Sequence, residues 1–236
     1  MVPKEPLHIV RLPKAFRGVF SNVYVCIDGA GREFLFKEAK SEKVIENELL
    51  AHRIGRIAGV FVLDFLERMT VDGIDGLVMT YLNDAVLLAE YGKKLSPAHV
   101  RELQRIVLFD LLIGNRDRHA ANILVGKHLV AFDHGRVFVD KSSAGIKHVK
   151  FDVGRLLDPE YSDKLEKISL ENTLSTGDVL VNWLGFRQRD LDAVKSVADN
   201  EVRKAVDGVK CPDKRGKDAF EYVAFRKRVF DRMSYF

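Results

Sequence analysis

Residues 109–125, FDLLIGNRDRHAANILV, place a dense group of polar side chains between two apolar runs. Removing polar groups from water is costly unless they find hydrogen-bond partners. A chain that keeps Asp117, His119 and Asn122 between two buried elements therefore has to hold these side chains in a network or use them in a functional site. In both cases the elements on either side of the polar segment must hold it rigidly, and the flanking sequence indicates which elements these are.

A buried helix is predicted directly before this polar segment. Ser96 stands at the N-cap position and Pro97 at the first helical position, where its missing N–H costs nothing. Gly114 stands where a glycine commonly ends a helix. Apolar residues are so dense between 106 and 113 that most faces of this helix should be covered by other parts of the chain.

A short β-hairpin is predicted directly after the polar segment. The runs NILV and LVAF are rich in β-prone side chains, and the Gly-Lys-His sequence between them suits a turn. If Val125 pairs with Val130, Asn122 comes opposite Asp133 at the open end of the hairpin. An amide oxygen and a carboxylate then converge beside the loop that carries Asp117, and such oxygen ligands suit a hard cation such as Mg²⁺.

The first 82 residues are predicted to form a β-rich unit with one helix. Residues 19–39 contain two β-prone runs joined by the turn sequence DGAG, which is typical of a hairpin. Ser41 can cap a helix that Gly59 can end. Residues 60–82 then contain two or three further strands around VDGIDG, so the predicted order is strand, strand, helix, strand, strand.

The chain after residue 83 is predicted to be mainly helical. Beyond residue 150, helical patterns cover 164–170, 178–184, 190–206 and 219–233. Since β-prone and helical segments are separated along the chain, the predicted fold class is α+β. We expect a β-rich N-terminal lobe over 1–82 and a larger, helical C-terminal lobe over 83–236.

Charge and composition exclude several classes of protein. The 236 residues carry a net charge of +4, with 38 basic and 34 acidic side chains distributed along the whole chain. Nucleic-acid binding favours a clustered basic face, so we expect no direct contact with nucleic acid. No apolar run is long enough for a signal peptide or a membrane span. Because only two cysteines occur, Cys26 and Cys211, and lie far apart, we expect a cytoplasmic protein.

The spacing of the polar residues repeats the order found in protein kinases. Asn122 follows Asp117 after four intervening residues, and Asp133-His134-Gly135 comes after the hairpin. The sequence GNRDRHAANILV, followed by AFDHG, resembles the catalytic segment of HipA-like kinases, and its DRHxxNIL core is similar to that of phosphatidylinositol kinases. The resemblance implies a bilobal protein-kinase-like fold, ATP and Mg²⁺ as cofactors, and transfer of the γ-phosphate to a serine or threonine hydroxyl of a protein.

The resemblance also implies roles for the residues around the loop. Asp117 resembles the catalytic aspartate that orients the attacking hydroxyl and accepts its proton. Asn122 and Asp133 resemble the Mg²⁺ ligands. His119 stands where these families have a histidine able to donate to the transferring phosphoryl group, and a structural role for it stays open. Arg118 is expected to brace the loop.

A phosphate-binding lysine is expected upstream. The segment FLFKEA resembles the strand that carries it, so Lys37 should contact the α- and β-phosphates of ATP, whereas Lys40 should be an ordinary solvent-facing lysine. The carboxylate partner of Lys37 could be Glu46 or Glu48, because the two flank the apolar stripe of the predicted helix on opposite sides. The sequence NELLAHRIG resembles the family pattern with Glu48, and we predict Glu48.

The remaining nucleotide contacts are expected in two short segments. In place of a glycine-rich loop the chain has FRGVFSN, whose backbone N–H groups could cradle phosphate at Gly18, Ser21 and Asn22. The segment MTYLN stands where the hinge between the lobes pairs with adenine, so contacts are expected at Met79, Tyr81 and Leu82.

Three classes of protein are alternatives to a protein kinase. A metallophosphoesterase needs clusters of histidine and aspartate upstream, and the first hundred residues contain no D-x-H arrangement. A non-catalytic nucleotide-binding module and a lipid or small-molecule kinase stay open as alternatives. HipA-like kinases often act as toxins opposed by an antitoxin, so the resemblance also permits an antitoxin or another regulatory protein as a partner.

Overall fold

The computed structural model describes residues 2–4, 6–11, 23–39, 41–115, 118–138, 188–207, 209, 219–224 and 227–228. The predicted helices over 164–170 and 178–184 lie outside these residues. So do four of the predicted site residues, namely Gly18, Ser21, Asn22 and Asp117.

The N-terminal part is an antiparallel five-stranded sheet with one helix. Its elements are β1 (His8–Arg11), β2 (Val23–Ile27), β3 (Glu33–Glu38), α1 (Glu42–Ile57), β4 (Leu66–Val71) and β5 (Ile74–Thr80). The strand order is β1-β2-β3-β5-β4, which puts β3 at the centre with β2 and β5 on either side. The predicted order of strands and helix is present, with one further strand, β1, at the edge.

Strand β1 was missed because a distant side chain holds it. The Asp72 carboxylate, in the turn between β4 and β5, contacts Nδ1 of His8 at 2.9 Å and accepts from the backbone N of Ile9 at 2.8 Å. The pairing of β1 with β2 shifts register between Ile9 and Arg11. A short, irregular edge strand of this kind carries little alternation that sequence reasoning can detect.

Helix α1 begins and ends at the predicted residues. Ser41 caps it by accepting from the backbone N of Val44, and Gly59 follows it with a φ of 67°. Its buried face includes apolar side chains such as Leu50 and Ile54. Four polar residues of α1 are also buried, and these matter for the site: Glu46, Asn47, Glu48 and His52.

The second part is built around α2 (Pro97–Ile113), whose caps are those predicted. Ser96 accepts from the backbone N of His99 at 3.2 Å, and Gly114 ends the helix with a φ of 63°. The C-terminal half of α2 is fully buried in the largest apolar cluster, as its density of apolar residues predicted.

A three-stranded sheet and further helices surround α2. The strands are β6 (Val86–Leu87), β7 (Ile123–Val125) and β8 (Leu129–Ala131), and the helices are α3 (Gln188–Lys195) and α4 (Asp199–Asp207). The prediction of one helix over 190–206 is wrong, since residues 196–198 separate α3 from α4. Residues 219–224 are helical, within the predicted helix over 219–233. No helix in the described part of the chain is long and apolar enough to cross a membrane.

The predicted register of the hairpin is wrong by one residue. Val125 pairs with Leu129, not with Val130, because the loop is only three residues long and closes with a hydrogen bond from Gly126 N to His128 O. As a consequence Asn122 does not face Asp133. The backbone O of Asn122 instead accepts from the backbone N of Phe132 at 3.2 Å.

Candidate active site

Lys37 stands where three segments of the chain meet. It lies on β3, and its Nζ is 2.8 Å from Oε1 of Glu48 on α1 and 2.8 Å from Oδ1 of Asp133, which follows β8. The helix residue that pairs with Lys37 is Glu48, the residue favoured over Glu46. The ion pair therefore joins the sheet, the helix and the end of the hairpin at one point.

The burial of these three groups differs. The side chains of Lys37 and Glu48 are 11% and 5% exposed, whereas that of Asp133 is 43% exposed. Burial alone would lower the pKa of Lys37, but the attraction of Glu48 and Asp133 outweighs it and raises that pKa. Lys37 is thus held as a cation, with one carboxylate buried behind it and another that reaches solvent.

The two carboxyl groups respond in opposite directions. Burial raises the pKa of Glu48, although Lys37 opposes the shift. For Asp133 burial acts in the same direction, yet the charge and the hydrogen bond of Lys37 outweigh it and lower the pKa. Asp133 is therefore the carboxylate that stays ionised and accessible, as a ligand for a cation must be.

The backbone around Asp133 is fixed by helix α1. Asp133 has a φ of 58°, which non-glycine residues adopt rarely. The backbone N of His134 donates to Oε2 of Glu48 at 2.7 Å, and Nδ2 of Asn47 donates to the backbone O of Gly135 at 2.7 Å. Sequence reasoning did not single out Asn47, although a polar run of Glu46, Asn47 and Glu48 on a helix could have signalled a buried polar face.

Arg118 explains why the polar segment tolerates burial. It is 1% exposed, and its guanidinium donates to both carboxylate oxygens of Asp110 at 2.8 and 3.1 Å. It also donates to the backbone O of Asn122 at 2.7 Å and of Phe132 at 2.8 Å. Arg118 thus braces the loop, as expected. It also connects both strands of the hairpin, at its open end, to α2.

Asp110 was missed as a member of this network. It lies in the last turns of α2, is 1% exposed, and also accepts from Nδ2 of Asn115 at 2.9 Å. A single acid inside the apolar run IVLFDLLIG is the signal that could have identified it, since a buried carboxylate needs a cationic or hydrogen-bonding partner.

The loop between Arg118 and the hairpin contains two further predicted site residues. The backbone O of His119 accepts from the backbone N of Asn122 at 3.0 Å, closing a short 3-10 turn over Ala120–Asn122. Asn122 is buried, whereas His119 is half-buried. The structure thus brings His119 and Asn122 to the open end of the hairpin, next to the segment that carries Asp133.

Apolar side chains from both parts of the chain pack together beside Lys37. Val23 and Leu35 come from the sheet, Tyr81 and Leu82 from the segment after β5, and Leu124 and Phe132 from the hairpin. Leu35 and Leu124 are buried, while the other four are only partly so. Met79 belongs to the same cluster and is 7% exposed, so its side chain is part of the core of the sheet.

The fold is α+β and of the protein-kinase type. It combines a small antiparallel sheet and one helix with a helical part that contains the Arg118 network and the hairpin β7–β8. No protein-family model and no curated protein matches the sequence. Among solved structures, the Helicobacter pylori proinflammatory kinase CtkA is similar, with a TM-score of 0.64 and 14% identity over 96% of this chain and 95% of CtkA.

HipA from the toxin–antitoxin system of Shewanella oneidensis MR-1, in a structure with HipB and operator DNA, is also similar. Its TM-score is 0.50 at 11% identity, covering 100% of this chain and 73% of that one. The chain therefore has a HipA-like kinase fold, as its catalytic-loop sequence predicted.

Proposed function

We propose that the protein is an ATP- and Mg²⁺-dependent kinase that transfers the γ-phosphate to a serine or threonine hydroxyl of a protein. The observation that carries this proposal is the position of Lys37, whose Nζ lies 2.8 Å from both Glu48 and Asp133. A buried lysine that is held as a cation beside a half-exposed carboxylate is suited to bind phosphate oxygens on its open side.

The residues present fit a hard cation. Asn122 and Asp133 offer an amide oxygen and an ionised carboxylate at the same end of the hairpin, and Mg²⁺ is usually held by one or two carboxylates together with substrate phosphates. Bound there, Mg²⁺ would neutralise charge on the β- and γ-phosphates.

The apolar cluster beside Lys37 suits a purine base. Val23 and Leu35 lie on the sheet side of this cluster, and Leu124 and Phe132 lie on the hairpin side. We propose that the base binds between them and pairs with the backbone of 79–82. The loop with Gly18, Ser21 and Asn22 is proposed to cover the phosphates.

The transfer step is assigned to the loop before the hairpin. Asp117 is proposed to orient the incoming hydroxyl and to accept its proton, and His119 to donate to the transferring phosphoryl group. Arg118 contributes indirectly, because its hydrogen bonds to the backbone O of Asn122 and of Phe132 fix the end of this loop and the residue directly before Asp133.

A protein is proposed as the acceptor, in a cytoplasmic setting. HipA was solved together with HipB, its partner in a toxin–antitoxin system, so we propose that a regulatory or antitoxin-like protein also binds this chain.

Direct contact with nucleic acid is not part of the proposal, since basic and acidic side chains are mixed along the whole sequence. A lipid or small-molecule acceptor is the alternative outcome of the test below.

The test is transfer from labelled ATP with Mg²⁺ to a cell extract, followed by identification of the labelled molecule and amino acid. ATP with Mg²⁺ should also raise the Tm, because a ligand that binds only the native state stabilises it. Label on phosphoserine or phosphothreonine supports the proposal, and label on a lipid or small molecule overturns the acceptor. If no label is transferred and millimolar ATP does not shift the Tm, the protein is a module that does not use ATP.

Lys37→Ala and Lys40→Ala form the matched pair for this test. Lys37→Ala should abolish the ATP-dependent Tm shift and transfer, because it removes the cation beside Asp133. Lys40→Ala, three residues further along the chain, should leave both near wild type. Equal effects of the two substitutions would contradict the assignment of Lys37.

A further inference from the structure

Two neighbouring residues of α1 hold the backbone that follows Asp133. Oε2 of Glu48 accepts from the backbone N of His134 at 2.7 Å. Nδ2 of Asn47 donates to the backbone O of Gly135 at 2.7 Å and of Val137 at 3.2 Å. Asn47 is completely buried; its hydrogen bond to Val137 is also buried, whereas that to Gly135 is partly buried. The four residues 134–137 are thus attached to α1 at three backbone atoms.

The packing at Gly135 shows how close the two segments are. A Cβ placed on this glycine would lie 3.0 Å from Cγ1 of Val44 and 3.8 Å from Oε1 of Glu48. It would also lie 3.9 Å from Oδ1 of Asp133. The segment after Asp133 therefore lies close against α1, with space at Gly135 for a hydrogen but little for a side chain, and the hydrogen bonds of Asn47 oppose its movement away.

Asp133 needs this support because of its backbone conformation. Its φ of 58° is in the left-handed region, which is unfavourable for most residues with a Cβ and which aspartate adopts more readily than they do, so contacts on both sides help to hold it there. On the preceding side, the backbone of Phe132 is fixed by Asn122 and Arg118. On the following side, the fixed points are those that Asn47 and Glu48 provide.

We propose that Asn47 is a positioning residue that sets the direction of the Asp133 carboxylate through the backbone of 134–137. This inference rests on the proposed function, in which Asp133 binds the metal and nucleotide. An amide suits the task, because its NH₂ group offers one hydrogen to each of two carbonyl oxygens. Helix α1 then positions two residues of the proposed site. Glu48 pairs with Lys37, and Asn47 holds the backbone segment that orients Asp133.

The test compares Asn47→Ala with His52→Ala. His52 lies on the same helix, is also buried, and contacts a backbone carbonyl through Nε2, but this carbonyl is that of Leu63, at 2.5 Å, and not one of residues 134–137. Both substitutions remove a buried polar side chain of α1 and should lower the Tm. Two measurements separate them: amide hydrogen exchange of His134 and the Mg²⁺ dependence of ATP binding.

Asn47→Ala should accelerate exchange at His134 on the order of tenfold, the effect of losing a supporting hydrogen bond. It should raise the Mg²⁺ concentration that half-maximally tightens ATP binding by a similar factor, and leave ATP binding without Mg²⁺ unchanged. His52→Ala should change neither quantity. Asn47→Ser keeps one donor, should give an intermediate shift, and replaces the alanine variant if that variant does not fold.

The outcomes distinguish the inference from the proposed function. If both alanine variants lose stability while His134 exchange and Mg²⁺ dependence stay at wild-type values, Asn47 serves only to satisfy carbonyl groups and the inference is wrong. If the wild-type protein shows no Mg²⁺-dependent ATP binding, the proposed function fails, and exchange alone decides. Faster exchange at His134 in Asn47→Ala but not in His52→Ala then supports the positioning of Asp133, and unchanged exchange overturns it.

Discussion

Two buried cations, Lys37 and Arg118, hold adjacent residues of the chain in different ways. Arg118 donates to the backbone O of Phe132, and Lys37 donates to the carboxylate of Asp133. Arg118 and its partner Asp110 are each 1% exposed, whereas Asp133 is 43% exposed. The arginine network is closed to solvent and the lysine network is open on one side.

The difference follows from the chemistry of the partners. The guanidinium of Arg118 has five N–H donors, and one carboxylate together with two backbone carbonyls can engage it from several directions. The ammonium of Lys37 is a point charge that can exchange one oxygen partner for another. The fixed contacts of Arg118 and the proposed binding site at Lys37 therefore lie side by side, and Arg118 holds the backbone of Phe132 directly before Asp133.

The largest expected effect concerns stability on the Arg118 side. Arg118→Leu should lower the free energy of unfolding by about 3–5 kcal/mol, because it leaves the Asp110 carboxylate buried without its cation. Lys37→Met should cost clearly less, because Glu48 has a raised pKa and can take up a proton while Asp133 reaches water. Urea denaturation of both variants measures this difference. Equal losses would mean that both networks serve only the fold.

The second prediction concerns activity on the Lys37 side and separates two aspartates. Asp117→Asn should leave ATP binding nearly intact and slow transfer by about 10²–10⁴, the range for a lost general base. Asp133→Asn should remove the Mg²⁺-dependent tightening of ATP binding together with transfer. Binding titrations and single-turnover transfer measure both effects, and melting curves control for unfolding. Transfer at the wild-type rate in Asp117→Asn would refute the kinase interpretation of GNRDRHAAN.

The third prediction concerns the glycine that leads into the Arg118 loop. Gly114 and Gly59 have φ values of 63° and 67°, so alanine should cost about 1–2 kcal/mol at either position. At Gly114 a Cβ would also lie 1.9 Å from Oη of Tyr222, whereas nothing lies within 4 Å at Gly59. Gly114→Ala should therefore lower the free energy of unfolding clearly more than Gly59→Ala in the same denaturation experiment. Equal losses would mean that Tyr222 moves aside without cost.

The most gradual expected effect concerns two buried histidines, whose contribution to stability changes with pH. Burial lowers the pKa of His52, and burial together with Arg118 holds that of His134 well below its ordinary value. In the unfolded chain a histidine titrates near 6.5, so the unfolded state binds protons that the native state excludes. The free energy of unfolding should then fall as the pH drops below about 6.5, by at most about 1.4 kcal/mol per pH unit for each histidine.

The contribution of His52 can be isolated by substitution. His52→Gln should make the free energy of unfolding less steeply dependent on pH between about 7 and 5. Glutamine does not titrate, so the unfolded state of the variant takes up one proton fewer than that of the wild type. Denaturation at a series of pH values measures the slope. An unchanged slope would show that His52 accepts a proton in the native state.

The sequence by itself determined the elements whose signals are local. Ser96, Pro97 and Gly114 delimit α2 because capping depends on the residue type at one position and on its immediate neighbours. The resemblance of the DRHxxNIL segment to kinase sequences likewise indicated the kinase-like fold, and that of NELLAHRIG indicated Glu48 as the partner of Lys37. These features required no knowledge of how distant segments pack.

Only the tertiary structure decided the features that depend on contacts between distant segments. It set the hairpin register, because the three-residue loop places Val125 opposite Leu129. Strand β1 forms where Asp72 holds it, and the polar segment tolerates burial because Arg118 finds Asp110 on α2. In each case the stabilising partner lies elsewhere in the chain, and the free energy of a buried polar group depends on whether such a partner is within hydrogen-bond distance.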